Sequence, residues 1–170
     1  MATVGFIGLG NMGGPMAINL AKAGHDVSVF DLSNDAMQAV AAHGATICAS
    51  ANEAATNKEF VVTMLPAGKH VKAVYLGEGG LLSVVDKSTL LIDSSTIDSD
   101  SAKAVATSAS AMGIAFMDAP VSGGVGGATA GTLSFICGGT QAHFDRSNTG
   151  TLHTSDAAEE PPRRHSGAPR

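Results

Sequence analysis

The segment Gly8-Leu9-Gly10-Asn11-Met12-Gly13 constrains the fold more than any other feature of this 170-residue chain. It follows an apolar, β-branched run, Thr3–Ile7, and opens a stretch with Met12, Met16 and Leu20 at helical spacing. Each glycine of a GxGxxG run at a strand-to-helix junction has its own physical use. Gly8 permits the tight turn, Gly10 lets the backbone approach a pyrophosphate, and Gly13 permits close packing of helix on strand. The helix N-terminus adds amide donors and the positive end of its dipole. Alone, the motif also fits a plain strand-to-helix turn. Asp31 strengthens it, because a carboxylate about 20 residues past the glycines, at the end of the next strand, accepts hydrogen bonds from ribose hydroxyls. That charge repels a 2′-phosphate, so NAD is expected over NADP. Read by itself, Asp31 also fits a loop or cap aspartate.

Beyond the glycines, short apolar runs alternate with helical stretches, the pattern of βαβ units around a parallel sheet. Strands are expected at Thr3–Ile7, Asp26–Phe30, Phe60–Met64, Leu90–Ile92 and Ala115–Met117, with weaker ones near Thr46–Cys48 and at Leu133–Cys137. Helices are expected near 11–23, 34–43, 50–56, 68–76 and 98–112. Gly24 sits where the first would end, and Asp98 or Ser99 caps the fifth. The expected architecture is α/β: a Rossmann-type, doubly wound, mostly parallel sheet.

Composition narrows the function. Hydrophobic residues make up 44% of the chain but aromatics only 4%, so aliphatic residues and methionine must build the core of one domain. A net charge of −5 argues against nucleic acid or an anionic membrane as partner. No apolar run approaches the ~20 residues of a spanning helix. Two cysteines, Cys48 and Cys137, cannot frame a disulfide scaffold and fit a reducing compartment. With no basic leader ahead of the first strand, a cytoplasmic location is expected. None of the histidines has metal-ligand spacing with cysteine or carboxylate, so no metal is expected.

The C-terminal end differs in kind. All lysines lie at or before Lys103, and all arginines lie at or after Arg146. From Ser147 to Arg170 only Leu152, Ala157, Ala158 and Ala168 are apolar, without periodicity. Such a segment cannot offset its own ordering entropy. We expect a dinucleotide-binding domain over 1–145 and a disordered tail over 146–170, as from a truncated or frame-shifted end. An ordinary polar C-terminus is the alternative.

Three more clusters stand at strand ends, where open α/β sheets present ligands. Leu65 and Pro66 follow the third long strand and by position face the adenosine side. Asp93-Ser94-Ser95-Thr96 follows the fourth, with Thr96 toward the nicotinamide half. Each also reads as a turn or a helix cap. Asp118-Ala119-Pro120-Val121-Ser122-Gly123-Gly124-Val125-Gly126-Gly127 follows the fifth. Its successive glycine amides can form an anion nest, with the Ser122 hydroxyl as a further donor. A flexible linker is the alternative there.

Phe6-Ile7-Gly8-Leu9-Gly10-Asn11-Met12-Gly13-Gly14-Pro15-Met16-Ala17-Ile18-Asn19-Leu20 resembles the signature of the β-hydroxyacid dehydrogenases, the 3-hydroxyisobutyrate dehydrogenase family. Met64-Leu65-Pro66, Ile92-Asp93-Ser94-Ser95-Thr96 and Asp118-Ala119-Pro120-Val121-Ser122-Gly123-Gly124 resemble its later motifs in the same order, from Thr3 to about Phe144 overall. The resemblance implies NAD-dependent oxidation of a short 3-hydroxy acid, as of 3-hydroxyisobutyrate to methylmalonate semialdehyde in valine breakdown. It implies that Gly8, Leu9, Gly10, Asn11, Met12, Gly13 and Asp31 hold NAD, and that Leu65, Pro66 and Thr96 line it. Ser122, Gly123 and Gly124 would bind the substrate carboxylate.

The same resemblance implies a lysine general acid/base on a helix after the Rossmann domain, then an all-helical second domain that makes much of a homo-oligomer interface. No lysine follows Lys103, and the 147–170 segment resembles neither feature. No catalytic residue is therefore expected within this chain, which carries the cofactor half. A catalytically inactive NAD-binding module and a tartronate-semialdehyde reductase-type enzyme are the alternatives. A 6-phosphogluconate-type enzyme fits less well, since Asp31 opposes NADP and no arginine lies near the anion loop.

Overall fold

In the computed structural model, residues 1–150 are described, and the 151–170 part of the tail expected over 146–170 lies outside them. The chain runs β1 (Thr3–Ile7), α1 (Gly13–Lys22), β2 (Asp26–Phe30), α2 (Asn34–Ala41), β3 (Thr46–Ile47), α3 (Ala51–Ala55), β4 (Phe60–Thr63) and α4 (Gly68–Leu76). A 3-10 turn at Leu81–Ser83 leads to β5 (Leu90–Asp93), α5 (Ser99–Ala111), β6 (Ala115–Asp118), β7 (Val121–Ser122), α6 (Gly124–Ala130), β8 (Ser134–Phe135) and α7 (Gln141–Gly150).

Six strands form one sheet in the order β3-β2-β1-β4-β5-β6, with every pairing parallel. This is the doubly wound Rossmann order, in which the chain reverses its direction of travel between β1 and β4. Alternation along the strands supplies both faces. Phe60, Val62, Leu90 and Ile92 join a core with Met16, Ala17 and Val40 from α1 and α2. Val61 and Leu91 point the other way, onto Val71, Tyr75, Val105 and Ala109 from α4 and α5. Strands buried on both faces explain the continuous apolar runs. The Tyr75 and Phe116 rings meet edge to face at 5.7 Å.

Helix boundaries follow local chemistry. Ser33, Ser50 and Asp98 cap α2, α3 and α5, each accepting a backbone N–H from three residues on. At the end of α1, Gly24 takes a φ of +92°, the left-handed conformation a glycine C′ supplies.

Three departures from the expectations concern the C-terminal third. The Leu133–Cys137 run does not enter the parallel sheet. Only Ser134–Phe135 is a strand, paired antiparallel with β7 in a separate two-stranded sheet. The glycine-rich segment after Ser122 is a helix, α6, rather than an open nest. Glycine costs about 1 kcal/mol per helical position, so packing must hold it. Ala128 and Leu133 are buried, and Asn19 Nδ2 of α1 donates to the Ala128 carbonyl at 2.7 Å.

Third, the expected boundary at 145 falls inside α7, which continues to Gly150. The reason is long-range. Arg146 Nη2 donates to the carbonyls of Glu59 at 3.1 Å and Ser88 at 2.6 Å, and its guanidinium lies 5.3 Å from the Phe60 ring centroid. Ser147 is fully buried. None of these contacts has a periodic signature in sequence.

Candidate nucleotide-binding site

At the carboxyl ends of β1, β2, β4 and β5 the fold gathers the glycine loop, Asp31, Leu65-Pro66 and Thr96 along one edge. Gly8 follows β1 with a φ of +94°, and a Cβ there would strike the Met64 carbonyl oxygen. A Cβ on Gly13 would strike the Gly8 carbonyl oxygen. At Gly10 an added Cβ would meet nothing within 4 Å. Gly8 and Gly13 therefore serve the fold, whereas Gly10 keeps open the space above the loop. A pyrophosphate fits that space: Met12 precedes α1 with no side-chain cap, and the first turn holds no acidic residue. Like α4 and α6, and unlike α2, α3 and α5, this helix leaves its leading amides without a side-chain acceptor. Gly10 and Asn11 are exposed, Met12 is half-buried, and Leu9 is buried beneath them.

Asp31 sits just past β2. Its Oδ2 accepts the Leu9 N–H at 2.7 Å and its Oδ1 accepts the Ser33 N–H at 2.7 Å. The carboxylate thus stands beside the glycine loop at the sheet's ligand-facing edge. Half-buried Leu65 and exposed Pro66 follow β4, and exposed Thr96 follows β5.

Ser122, Gly123 and Gly124 lie farther along, after β6, and all three are exposed. Gly123 has a φ of +136° and Gly124 of +62°, a turn that L side chains rarely adopt. The Asn19–Ala128 bond and the α1–α6 contact tether this segment to the helix that the glycine loop opens. Nothing local in the sequence marks Asn19, because its partner is 109 residues away.

Beneath these loops lies a polar cluster. Asp93, Ser94, Ser95 and Thr63 are fully buried. Burial pushes the Asp93 carboxyl up from its ordinary value, opposed by hydrogen bonds from Ser95 and Thr63. Asp118 is the register partner of Asp93 across β5 and β6. Burial, then the Asp93 charge, raises its pKa to about 6. The Cys137 thiol is pushed up by burial and by Asp118. Burial raises the Tyr75 phenol well above its usual range, reinforced by Asp93 and opposed by its hydrogen bond to Thr63. Among the described residues, no three histidine, cysteine or acidic side chains are placed to share a metal ion, and no helix is long and apolar enough to cross a membrane.

The chain is 54% identical over 146 residues to a 3-hydroxyisobutyrate dehydrogenase of Pseudomonas aeruginosa, covering 86% of this chain and 49% of that protein. It is 52% identical over 147 residues to a probable mitochondrial 3-hydroxyisobutyrate dehydrogenase of Dictyostelium discoideum, covering 86% of this chain and 46% of the relative. Among solved structures it resembles the Mycobacterium tuberculosis 3-hydroxyisobutyrate dehydrogenase determined with L-serine. There the TM-score is 0.85 at 44% identity, over 89% of this chain and 51% of the other. The chain thus spans about half the length of the curated relatives it matches. Residues 3–151 match the model of the NAD binding domain of 6-phosphogluconate dehydrogenase, a match that runs past the expected boundary at 145. With the sheet order in agreement, the chain belongs to that family of NAD-binding domains.

Proposed function

We propose that this chain is the cofactor half of an NAD-dependent 3-hydroxyacid dehydrogenase, acting on 3-hydroxyisobutyrate to give methylmalonate semialdehyde. The observation that carries the reading is the convergence of an uncapped α1, an open Gly10 and Asp31 at the β1–β4 reversal. Identity above one half to a protein of that name supports the substrate class. In this reading the amides of the Gly8–Gly13 loop hold the pyrophosphate and Asp31 holds the adenosine ribose. Leu65 and Pro66 line the adenosine, and Thr96 lines the nicotinamide. Bound NAD supplies the hydride acceptor. Ser122, Gly123 and Gly124 hold the substrate carboxylate against α1.

No group in the described residues is assigned to proton transfer, and the sequence has no lysine after Lys103. General acid–base catalysis is worth about 10² to 10⁴-fold, so the 170-residue chain binds NADH with little or no turnover. The full-length form is a cytoplasmic homo-oligomer in this reading, without nucleic-acid or membrane partners. The 1–145 core is the NAD-binding unit, to which the α7 contacts add residues through Gly150.

Fluorescence titration with NADH tests the cofactor assignment, and absence of saturable binding removes it. A side-by-side assay of a full-length form on 3-hydroxyisobutyrate and L-serine tests the substrate. The L-serine in the M. tuberculosis structure makes serine the specific rival, and a higher kcat/KM on serine would replace the assignment.

A further inference from the structure

The loops after β4 and β5 are joined by a hydrogen-bonded chain that the cofactor contacts do not themselves require. The Leu65 N–H donates to Ser95 Oγ at 2.8 Å, and Ser95 Oγ–H donates to Asp93 Oδ1 at 2.6 Å. The Ser95 N–H reaches the same oxygen at 3.2 Å, and Thr63 Oγ1–H reaches it at 2.8 Å. With Thr63 committed as a donor, the Tyr75 hydroxyl donates to Thr63 Oγ1, also at 2.8 Å. Thr63, Asp93 and Ser95 are fully buried and Tyr75 is 1% exposed.

As pure architecture this cluster is costly. Asp93 Oδ2 and Ser94 Oγ are buried with no partner among the described residues, and unpartnered buried polar atoms are destabilising. An apolar pair would close the same gap more cheaply. What the polar chain adds is a directional link with one geometry, since each donor has a single acceptor. It runs from Asp93, at the end of β5, through Ser95 to the amide of Leu65, beyond the end of β4. Leu65-Pro66 and Thr96 are the two loops flanking that link.

We infer that Ser95 and Asp93 are positioning residues of the nucleotide site, clamping the Leu65-Pro66 loop to the Thr96 loop at the spacing a dinucleotide needs. The inference rests on the NAD-binding reading above. Its consequence is selective. A ligand that spans both loops depends on their spacing, whereas AMP, which ends before the nicotinamide half, does not.

The test measures NADH and AMP affinities for the 170-residue chain and its variants, with thermal melts alongside. Ser95→Ala removes the bridge and is expected to weaken NADH about 5- to 10-fold while AMP changes less than 2-fold. Asp93→Asn keeps an acceptor oxygen for Ser95 while removing the charge. It is expected to shift the melt and to lose the same NADH-over-AMP selectivity in smaller measure than Ser95→Ala, because a neutral amide oxygen anchors Ser95 less strongly than a carboxylate. If Ser95→Ala does not fold, Ser95→Cys, nearly isosteric and a weak hydrogen-bonding group, is expected to give a smaller loss of the same selectivity. Equal losses for both ligands, or no loss, in Ser95→Ala overturn the clamp, a parent-like ratio in Asp93→Asn removes Asp93 from it, and each of these leaves NAD binding standing. A parent chain that binds no NADH overturns both.

Discussion

Asp31 Oδ2 accepts the Leu9 N–H at 2.7 Å, so the acidic residue at the end of β2 also braces the glycine loop at the end of β1. One carboxylate holds the loop in shape and, in the proposed reading, presents its charge to the adenosine ribose. Replacing it should therefore affect loop geometry and cofactor choice together.

Asp31→Ala is expected to weaken NADH by roughly 1–3 kcal/mol, the range for losing a charge-assisted hydrogen bond. NADPH should weaken less, because the repulsion toward its 2′-phosphate disappears with the carboxylate. Parallel NADH and NADPH titrations give the ratio. Equal losses for the two nucleotides would mean that Asp31 acts through the loop alone.

The glycines should separate by role. Gly13→Ala drives a Cβ into the Gly8 carbonyl, and overpacking of this kind costs about 1–3 kcal/mol. Gly10→Ala meets open space and should melt within about 0.5 kcal/mol of the parent while losing NADH affinity. Urea denaturation with NADH titration on both variants checks the contrast.

Asp118 gives the fold a pH dependence of definite sign. Its pKa is raised from 3.8 unfolded to about 6 folded, so folding takes up a proton between those values. The contribution is complete below about pH 4 and is lost as pH rises through 6. Asp93, raised in the same direction, adds to the trend. Asp118→Asn should flatten the profile, gaining on the order of 2 kcal/mol over the parent at pH 7.5 relative to pH 4. Urea midpoints at several pH values read this directly, and parallel profiles would contradict it.

Arg146→Ala tests whether α7 belongs to the domain. The change removes two donors to the Glu59 and Ser88 carbonyls and the contact with the Phe60 ring. A loss of about 1–2 kcal/mol is expected from one charged hydrogen-bonding group with its stacking. Arg146→Lys should recover only part, since an ammonium lacks the planar fork. An unchanged melting temperature would place α7 outside the cooperative unit.

The glycine loop and the acidic residue of the candidate nucleotide site are legible in the chain itself. Gly8, Gly10 and Gly13 are spaced by the geometry of one turn, and Asp31 by the length of one helix and strand. Those distances are local, so they are written consecutively in the chain. The parallel strands were equally plain, because burial on both faces forces unbroken apolar runs such as Phe60–Thr63 and Leu90–Ile92. Boundaries moved by only a residue or so at β4, β5 and β6.

Residues whose partners are far away in sequence were not legible. Ser95 stood in plain view beside Thr96, yet its role depends on the Leu65 amide, 30 residues earlier. The glycine-rich α6 defies its own helix propensity because Asn19 reaches it across 109 residues. A polar stretch without periodicity became α7 because Arg146 found carbonyls at Glu59 and Ser88. Residue order carries whatever short-range sterics and burial period impose: the βαβ alternation, the anion-ready turn, the acidic residue beyond it. Pairings between distant donors and acceptors arise only once the sheet has brought strand ends within hydrogen-bond reach, and that closure set the inner clamp, the helix at 124–130 and the contacts of Arg146.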